Sequence, residues 1–158
     1  MNCCWPPAFL QRFATPREPQ PRHARADCVF CSIAAGTGPP SQRTLLYSDA
    51  RCVVFRDRAP AAETHLLVCS RVHIHCVNDL QGPADAELAS HLESVAHSML
   101  AKHGRPGAER KLGYHANGWH SVDHLHLHAF ALPHTPAWRV SWKYAGNIWW
   151  MSADAVRE

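Results

Sequence analysis

His124-Leu125-His126-Leu127-His128, followed directly by Ala129-Phe130-Ala131-Leu132, is the stretch that decides the fold of this chain. A strand places alternate side chains on opposite faces, so the three histidines share one face while the two leucines between them point into a core. Imidazoles titrate near neutrality, and a structural strand has little use for three of them in a row. The spacing therefore predicts a histidine row at a sheet surface, which serves as a metal site, as a nucleophile with helpers, or as both.

The bulk composition is typical of a single globular domain. The chain has 158 residues, of which 46% are hydrophobic and 18% are charged, with a formal net charge of +3. This length supports one domain with its own core. Basic residues crowd only near the N-terminus, so nucleic-acid binding is not indicated. Apolar runs stay below the roughly 18 residues of a membrane span, so we expect no membrane partner.

The seven cysteines lack the density of a secreted disulfide scaffold. Cys28 and Cys31 form a CxxC pair, and the other five are expected to be free thiols or core residues. This pattern of cysteines favours a reducing compartment, and we expect a cytoplasmic or nuclear location.

Residues 1–26 differ from the rest of the chain because they contain five prolines, four arginines and one acidic residue. Such a composition without apolar periodicity predicts a disordered N-terminal arm. Organelle targeting by this arm is the alternative interpretation, although the stretch lacks serine. We therefore predict an arm over residues 1–26 and one domain over residues 27–158.

Local patterns in the domain predict an antiparallel α+β fold. Asp27 is expected to cap a short N-terminal helix over residues 29–35. The long helix begins near Pro83, carries apolar residues at i, i+4, i+7 and i+11, and ends at Gly104. Strands are expected at residues 45–48, 52–57, 65–70, 112–116 and 124–132. The sequence thus predicts a sheet of about five strands with one long helix and one short helix.

The histidine row suits nucleophilic attack on phosphorus. A neutral imidazole attacks well when its other nitrogen is held as N–H, and His126 has a neighbouring histidine on each side. Flanking imidazoles and the Ser121 hydroxyl could donate hydrogen bonds to phosphate oxygens or to a leaving group. The carboxylate of Asp57 suits ribose hydroxyls, although aspartate after a strand is usually a turn former. His65, taken alone, is more often a structural hydrogen-bonding residue.

The second chemistry that the sequence permits is zinc binding. Cys28 and Cys31 supply two thiolates at a common metal spacing, His73 and His75 follow the third expected strand, and His124 opens the histidine row. Cys28, Cys31, His73 and His124 would complete a closed tetrahedral Cys2His2 site. A CxxC pair is also common without a metal, so both interpretations stay open.

Taken together, these motifs resemble the histidine triad (HIT) family of nucleotide hydrolases and transferases. The similarity covers about residues 27–158, and it lies in the histidine row and in the segments 27–33, 55–60, 64–68 and 73–74. Within the family, residues 112–115 and 121–128 resemble the third branch of the histidine triad nucleotide-binding proteins. This resemblance implies a HIT-like fold, a homodimer and an adenosine 5′-monophosphoramidase activity. Such an enzyme hydrolyses the P–N bond of AMP-amine or aminoacyl-adenylate-like substrates.

The resemblance also implies roles for particular residues. His126 matches the nucleophile that forms a nucleotidyl-histidine intermediate, with His128 and His65 as supporting histidines. Ser121 matches a contact to phosphate or leaving group, and Asp57 matches the ribose-binding carboxylate. The apolar walls of the base site match Val29, Phe30, Ile33 and Phe55.

Cofactors and partners are implied in the same way. Zinc-bearing relatives use a ligand pattern that Cys28, Cys31, His73 and His124 match, so a structural zinc is expected, and no cofactor is expected for the chemistry itself. The expected partners are a purine nucleotide, AMP or an AMP-amine conjugate, and a second copy of the chain. The apolar face of the helix over residues 84–103 could be shared in that homodimer.

Two other functions remain open from the sequence. A dinucleoside polyphosphate hydrolase or nucleotidyl transferase would use the same fold. A zinc-stabilised nucleotide-binding module without significant turnover is the third interpretation, because the loop over residues 116–120 departs from the family pattern and leaves its phosphate contacts open.

Overall fold

A computed structural model describes residues 22–39, 44–116, 121–135, 143–144 and 150–156. Within these residues the chain forms two α-helices, six strands and two short 3-10 turns. In chain order the elements are α1 (Val29–Ala34), β1 (Tyr47–Ser48), β2 (Cys52–Arg56), β3 (Ala62–Ser70), a turn at Val77–Asp79, α2 (Gly82–His103), β4 (Arg110–His115), β5 (His126–His134), β6 (Trp150–Ser152) and a turn at Asp154–Val156. The α+β prediction is confirmed. The sixth strand was not expected, because it comes from the aromatic tail.

The six strands form one antiparallel sheet in the order β1-β2-β3-β5-β4-β6. Strand β5 pairs with β3 on one side, where His126 lies opposite Cys69 and His128 opposite Leu67. On its other side β5 pairs with β4, where His128 lies opposite Gly113. The histidine-bearing strand is therefore held from both sides, which gives its side chains a rigid base.

Helix α2 covers one face of the sheet. Leu125 and Leu127 of the histidine segment are buried against the apolar residues that recur along α2. These residues are Leu88, Leu92, Val95 and Met99. The inward direction of the two leucines is confirmed. The apolar face of α2 packs on the chain's own sheet, and its sharing with a second copy stays a prediction. Neither helix of the described residues has the length and apolarity to cross a membrane.

Helix α1 packs on the opposite face of the sheet. Phe30 and Ile33 are buried against residues of β2 and β3, which are Val53, Phe55, Leu67 and Cys69. The predicted cap is wrong, because Cys28 occupies the N-cap position and no side chain caps the helix. Asp27 instead accepts two hydrogen bonds from the Arg25 guanidinium, at 2.8 and 3.1 Å. The CxxC pair consequently lies at the beginning of α1, directly over the sheet.

A contact at residue 22 joins the segment before α1 to the long helix. Arg22 donates to both carboxylate oxygens of Asp85 in the first turn of α2, at 2.5 and 2.7 Å. It also donates to the Asp79 carbonyl at 3.2 Å. Residues 1–21 of the predicted arm lie outside the described residues, so the arm and its boundary stay a prediction.

Candidate active site and metal centre

All three histidines of the row lie on the face of the sheet opposite α2. His126 and His128 belong to β5, whereas His124 precedes it because the strand begins at His126. The shared face is confirmed, but the expected exposed surface is not found, since His124, His126 and His128 are only 1%, 7% and 4% exposed. Helix α1 covers one end of the row, and the tail residues Tyr144 and Trp150 cover the other.

His126 lies where these two covering layers meet. Its ring centroid is 5.1 Å from that of Phe30 on α1 and 4.9 Å from that of His128. Its Nδ1–H donates to the carbonyl oxygen of His124 at 2.5 Å. In the neutral ring this hydrogen bond leaves the lone pair on Nε2. That is the tautomer a nucleophilic histidine requires.

The tautomers of His65 and His128 follow from one backbone amide. The N–H of Ala61 can only donate, so Nδ1 of His65, 3.2 Å away, accepts. Nε2–H of His65 then donates to Nδ1 of His128 at 2.8 Å, which places the His128 proton on Nε2. Among the described residues this buried Nε2 has no hydrogen-bond partner. The chain thus presents a fixed donor beside the His126 ring.

Burial keeps both supporting histidines neutral. It lowers the pKa of His65 to about 3, and the Lys143 ammonium acts in the same direction. It also lowers the pKa of His128 far below its usual value, with nearby His126 and His65 adding to the effect. Both rings are therefore uncharged near neutral pH, as the hydrogen-bond chain from Ala61 requires.

Asp57 has one oxygen in a turn and one facing the histidines. Its Oδ1 accepts the Ala59 N–H at 2.7 Å, which is the expected turn contact. Its Oδ2 lies 3.5 Å from Nε2 of His65. Burial raises the pKa of Asp57, while the Ala59 hydrogen bond and the Lys143 charge oppose that rise. The structure therefore brings Asp57 to the same site as His65 and His128.

The residues expected at the base site lie in two different environments. Phe30 and Phe55 pack edge to face at 5.5 Å, and both are buried with Ile33 between α1 and the sheet. Val29 is 37% exposed. It lines a cleft of about 280 Å³ together with exposed Ser121. Cys28 and His73 also line this cleft, so Val29 and Ser121 reach solvent at the end of the site where the Cys/His residues lie. Phe30, Ile33 and Phe55 do not line it.

The four expected zinc ligands lie together. Their donor atoms are all within 4.8 Å of one another, and the residues Cys28, Cys31, His73 and His124 are buried. Nδ1 of His124 lies 3.4 and 3.5 Å from the two sulfurs, and Nδ1 of His73 lies 3.4 Å from Sγ of Cys31. Tetrahedral Zn²⁺ with ordinary Zn–S and Zn–N bonds places sulfur and nitrogen about 3.5 Å apart. The donor set therefore fits zinc.

His124 connects the metal centre to the histidine row. Its Nε2–H donates to the Ser70 carbonyl at 2.7 Å, so its Nδ1 lone pair faces the two thiols. Burial lowers the pKa of His124 to about 4 and raises the pKa of the Cys31 thiol. The backbone carbonyl of His124 also accepts the hydrogen bond from Nδ1–H of His126. One backbone position thus orients a metal ligand and the nucleophile candidate.

Three aromatic side chains lie at the other end of the row, and of these His115 and Tyr144 were not expected from the sequence, whereas the tryptophans of the tail were considered for a pocket wall or a dimer contact. The rings of His115, Tyr144 and Trp150 lie 4.7, 5.6 and 5.9 Å from that of His128. Strand alternation could have indicated His115, because its neighbour Tyr114 faces α2. The tail residues carry no such pattern. Trp138, Trp142, Trp149 and Asn117 lie outside the described residues.

An antiparallel sheet with its long helix on one face and a histidine row beside a Cys/His cluster on the other is the architecture of a histidine triad domain. The chain belongs to the HIT family. Residues 27–142 match the family described as "Scavenger mRNA decapping enzyme C-term binding". Solved HIT proteins share the fold.

A HIT family hydrolase from Clostridium thermocellum has a TM-score of 0.62 at 25% identity, and a histidine triad protein from Clostridium difficile has 0.61 at 30%. Each alignment covers 69% of this chain and 93% of the other. These two structures confirm the predicted HIT-like fold.

Relatives of known name support the enzyme class. The bifunctional adenosine 5′-phosphosulfate phosphorylase/adenylylsulfatase HINT4 of Arabidopsis thaliana is 40% identical over 77% of this chain and 82% of its own length. The adenosine 5′-monophosphoramidase HINT3 of Xenopus tropicalis is 32% identical over 82% of this chain and 84% of its own. The predicted hydrolase class is confirmed by these relatives, and the substrate is left to the proposal below.

Proposed function

We propose that the chain is a nucleotide hydrolase that cleaves the P–N bond of AMP-amine conjugates through a nucleotidyl-His126 intermediate. The observation that carries the proposal is the hydrogen bond from Nδ1–H of His126 to the His124 carbonyl. It fixes the tautomer whose Nε2 lone pair can attack phosphorus, at a ring packed between α1 and His128.

The neighbouring residues then have defined roles in this proposal. Nε2–H of His128 donates to a non-bridging phosphate oxygen, because its proton is fixed by His65. The ribose hydroxyls bind at Asp57, and the base binds against the apolar residues, which are Val29, Phe30, Ile33 and Phe55. Ser121 contacts the phosphate or protonates the leaving amine. Water then cleaves the P–N bond to His126 and releases AMP.

The Cys/His cluster has a structural role in the same proposal. Zn²⁺ held by Cys28, Cys31, His73 and His124 would cross-link the start of α1 to the segment that enters β5. The chain's own residues carry the chemistry: the His124 carbonyl positions His126, and Phe30 of α1 packs against the His126 ring. The metal therefore acts by keeping the site assembled.

The test is His126→Ala, measured for turnover of adenosine 5′-phosphoramidate and, by calorimetry, for AMP binding. We expect turnover to be lost while AMP still binds, because the base and ribose contacts remain. His97→Ala, at an exposed histidine of α2, is the matched control and should keep wild-type activity. Retention of more than a few per cent of the wild-type rate by His126→Ala would refute the covalent assignment.

Hydrolysis of adenosine 5′-phosphosulfate is a second candidate, favoured by the 40% identity to the Arabidopsis adenylylsulfatase. The first step would be the same attack by His126, with sulfate instead of an amine as the leaving group. Assays of both substrates beside a diadenosine polyphosphate separate these activities.

A further inference from the structure

His134, the last residue of β5, forms a hydrogen bond with the residue that sets the tautomer of His65. Nδ1 of His134 lies 3.1 Å from the Ala61 carbonyl oxygen. A carbonyl only accepts, so this nitrogen carries the ring proton and donates it. The N–H of the same Ala61 donates to Nδ1 of His65 at 3.2 Å. Both backbone groups of Ala61 are therefore bonded to histidine side chains.

The sheet is irregular where this contact forms. Ala62 pairs with His134 and Thr64 with Ala131, so three steps along β5 face two along β3. An extra residue of this kind interrupts the ladder and bends the strand that carries it. Ala61 lies just before β3, and among the described residues its carbonyl is held by the Thr135 N–H at 2.9 Å and by His134. A side chain thus supplies part of the support that a regular ladder would give.

Packing fixes the ring of His134 in this position. Its centroid lies 4.9 Å from that of Phe130, edge to face, and 5.6 Å from that of Tyr144, nearly parallel. The Phe130 ring in turn stacks on His65 at 4.2 Å. Burial lowers the pKa of His134, so the ring is neutral near pH 7. His134 therefore offers the Ala61 carbonyl a fixed, uncharged donor.

We propose that His134 is a positioning residue whose hydrogen bond to Ala61 keeps the ring protons of His65 and His128 on Nε2. The effect on the reaction rate rests on the proposed mechanism at His126, whereas the effect on the tautomers does not. Without this donor the backbone at Ala61 can turn, and its N–H no longer occupies the lone pair on Nδ1 of His65.

The consequence passes along the hydrogen bond between the two rings. If the His65 proton moves to Nδ1, its Nε2 becomes an acceptor, and Nδ1 of His128 must donate to it across the same 2.8 Å. The proton of His128 then leaves Nε2. That nitrogen can no longer donate to the phosphate, so the transition state loses one hydrogen bond.

The first measurement compares His134→Phe with His134→Asn. Phenylalanine keeps a ring against Phe130 and Tyr144 but has no donor, whereas the asparagine amide places an N–H close to the position of Nδ1. Two-bond 1H–15N spectra of histidine-labelled protein at pH 7, without substrate, show which ring nitrogen carries each proton. We expect Nε2–H on His65 and His128 in the wild type and in His134→Asn, and a population with Nδ1–H on both rings in His134→Phe.

The second measurement is the hydrolysis of adenosine 5′-phosphoramidate. For His134→Phe we expect kcat to fall by about fivefold, equivalent to about 1 kcal/mol. KM should change by less than about twofold, because the lost contact forms mainly in the transition state. His134→Asn should recover most of the rate. His97→Phe, the same replacement at an exposed histidine of α2, should match the wild type in both measurements.

Wild-type tautomers in His134→Phe would overturn the inference, and so would changed tautomers with unchanged kcat. Equal losses in His134→Phe and His134→Asn would also overturn it, because the ring and not the donor would then matter. A wild-type protein without turnover would instead refute the proposed function, and the spectra would still decide whether His134 sets the tautomers. Near-UV circular dichroism checks folding, and His134→Leu replaces His134→Phe if the latter does not fold.

Discussion

Nε2 of His65 lies 2.8 Å from Nδ1 of His128, and the backbone amide of Ala61 decides which of the two donates. The Ala61 N–H donates to the lone pair on Nδ1 of His65, so the ring proton of His65, and in turn that of His128, is on Nε2. The backbone amide of Ala61, just before β3, thereby sets the position of the proton on His128 of the neighbouring strand β5. His128 consequently offers a hydrogen-bond donor to the reacting phosphate without carrying a charge.

The first prediction concerns the pH dependence of stability. Burial lowers the pKa of folded His65 to about 3, below the ordinary value of about 6.5 that we expect in the unfolded chain. Between these values the unfolded state binds more protons than the folded state. The contribution of His65 to the free energy of unfolding is therefore fully present above about pH 6.5 and is lost as the pH falls toward 3. Urea unfolding at pH 7, 6 and 5 measures this slope.

His65→Asn is the matching variant, because an amide keeps a polar atom near the Ala61 N–H and does not titrate. It should lower stability at every pH but flatten the slope between pH 7 and 5. A slope equal to that of wild type would contradict the assignment of this titration to His65.

The second prediction concerns metal. Cys31→Ser should reduce bound zinc to well below one ion per chain, since a closed site loses one of its four ligands. A chelator should lower the Tm of the wild type and leave the Tm of Cys31→Ser nearly unchanged. The control is Cys69→Ala, because Cys69 is buried on the same face but outside the cluster. Full zinc occupancy in Cys31→Ser would refute this ligand set.

The third prediction concerns Gly113 of β4. A Cβ at this position would lie 2.5 Å from both the Trp150 ring and the Met151 carbonyl, so Gly113→Ala must displace β6. We expect a cost of about 1–3 kcal/mol, as for other overpacked sites, and reduced kcat/KM because Trp150 covers His128.

Gly82→Ala is the control for Gly113→Ala. It places alanine at a position whose φ is positive, but the added Cβ meets no atom within 4 Å. The variant should therefore have a lower Tm without lower activity. A Gly113→Ala protein with the near-UV spectrum and kinetics of wild type would show that β6 does not need the glycine.

The fourth prediction compares the stability cost of removing each partner of the Arg22–Asp85 ion pair. Arg22 is largely exposed, so Arg22→Ala should cost about 0.2–1 kcal/mol. Asp85→Ala should cost about 1–2 kcal/mol, because Asp85 also accepts the Gln81 N–H at 2.6 Å at the start of α2. Urea midpoints measure both, with exposed Arg105→Ala expected to change stability by less than about 0.5 kcal/mol. Equal costs for the two alanine variants would contradict the capping role of Asp85.

Much of the fold could be predicted because its signals are local. The i, i+4, i+7 period of α2 and the alternation of the histidine segment depend only on helix and strand geometry. The cap of α1 was wrong because Asp27 binds the Arg25 guanidinium instead, a competition that residue type does not reveal. The sixth strand was missed because β6 has three residues, too few for a pattern, and forms through pairing with β4.

The sequence by itself determined which residue types face which side of the sheet, since backbone periodicity fixes that at every step. It also determined the candidate ligands and nucleophile, since cysteine and histidine carry their chemistry wherever they lie. Only the tertiary structure decided that four ligands from three chain segments meet and that Tyr144 and Trp150 cover one end of the row. Contacts between residues far apart in the chain depend on the packing of whole elements, and no local pattern records that packing.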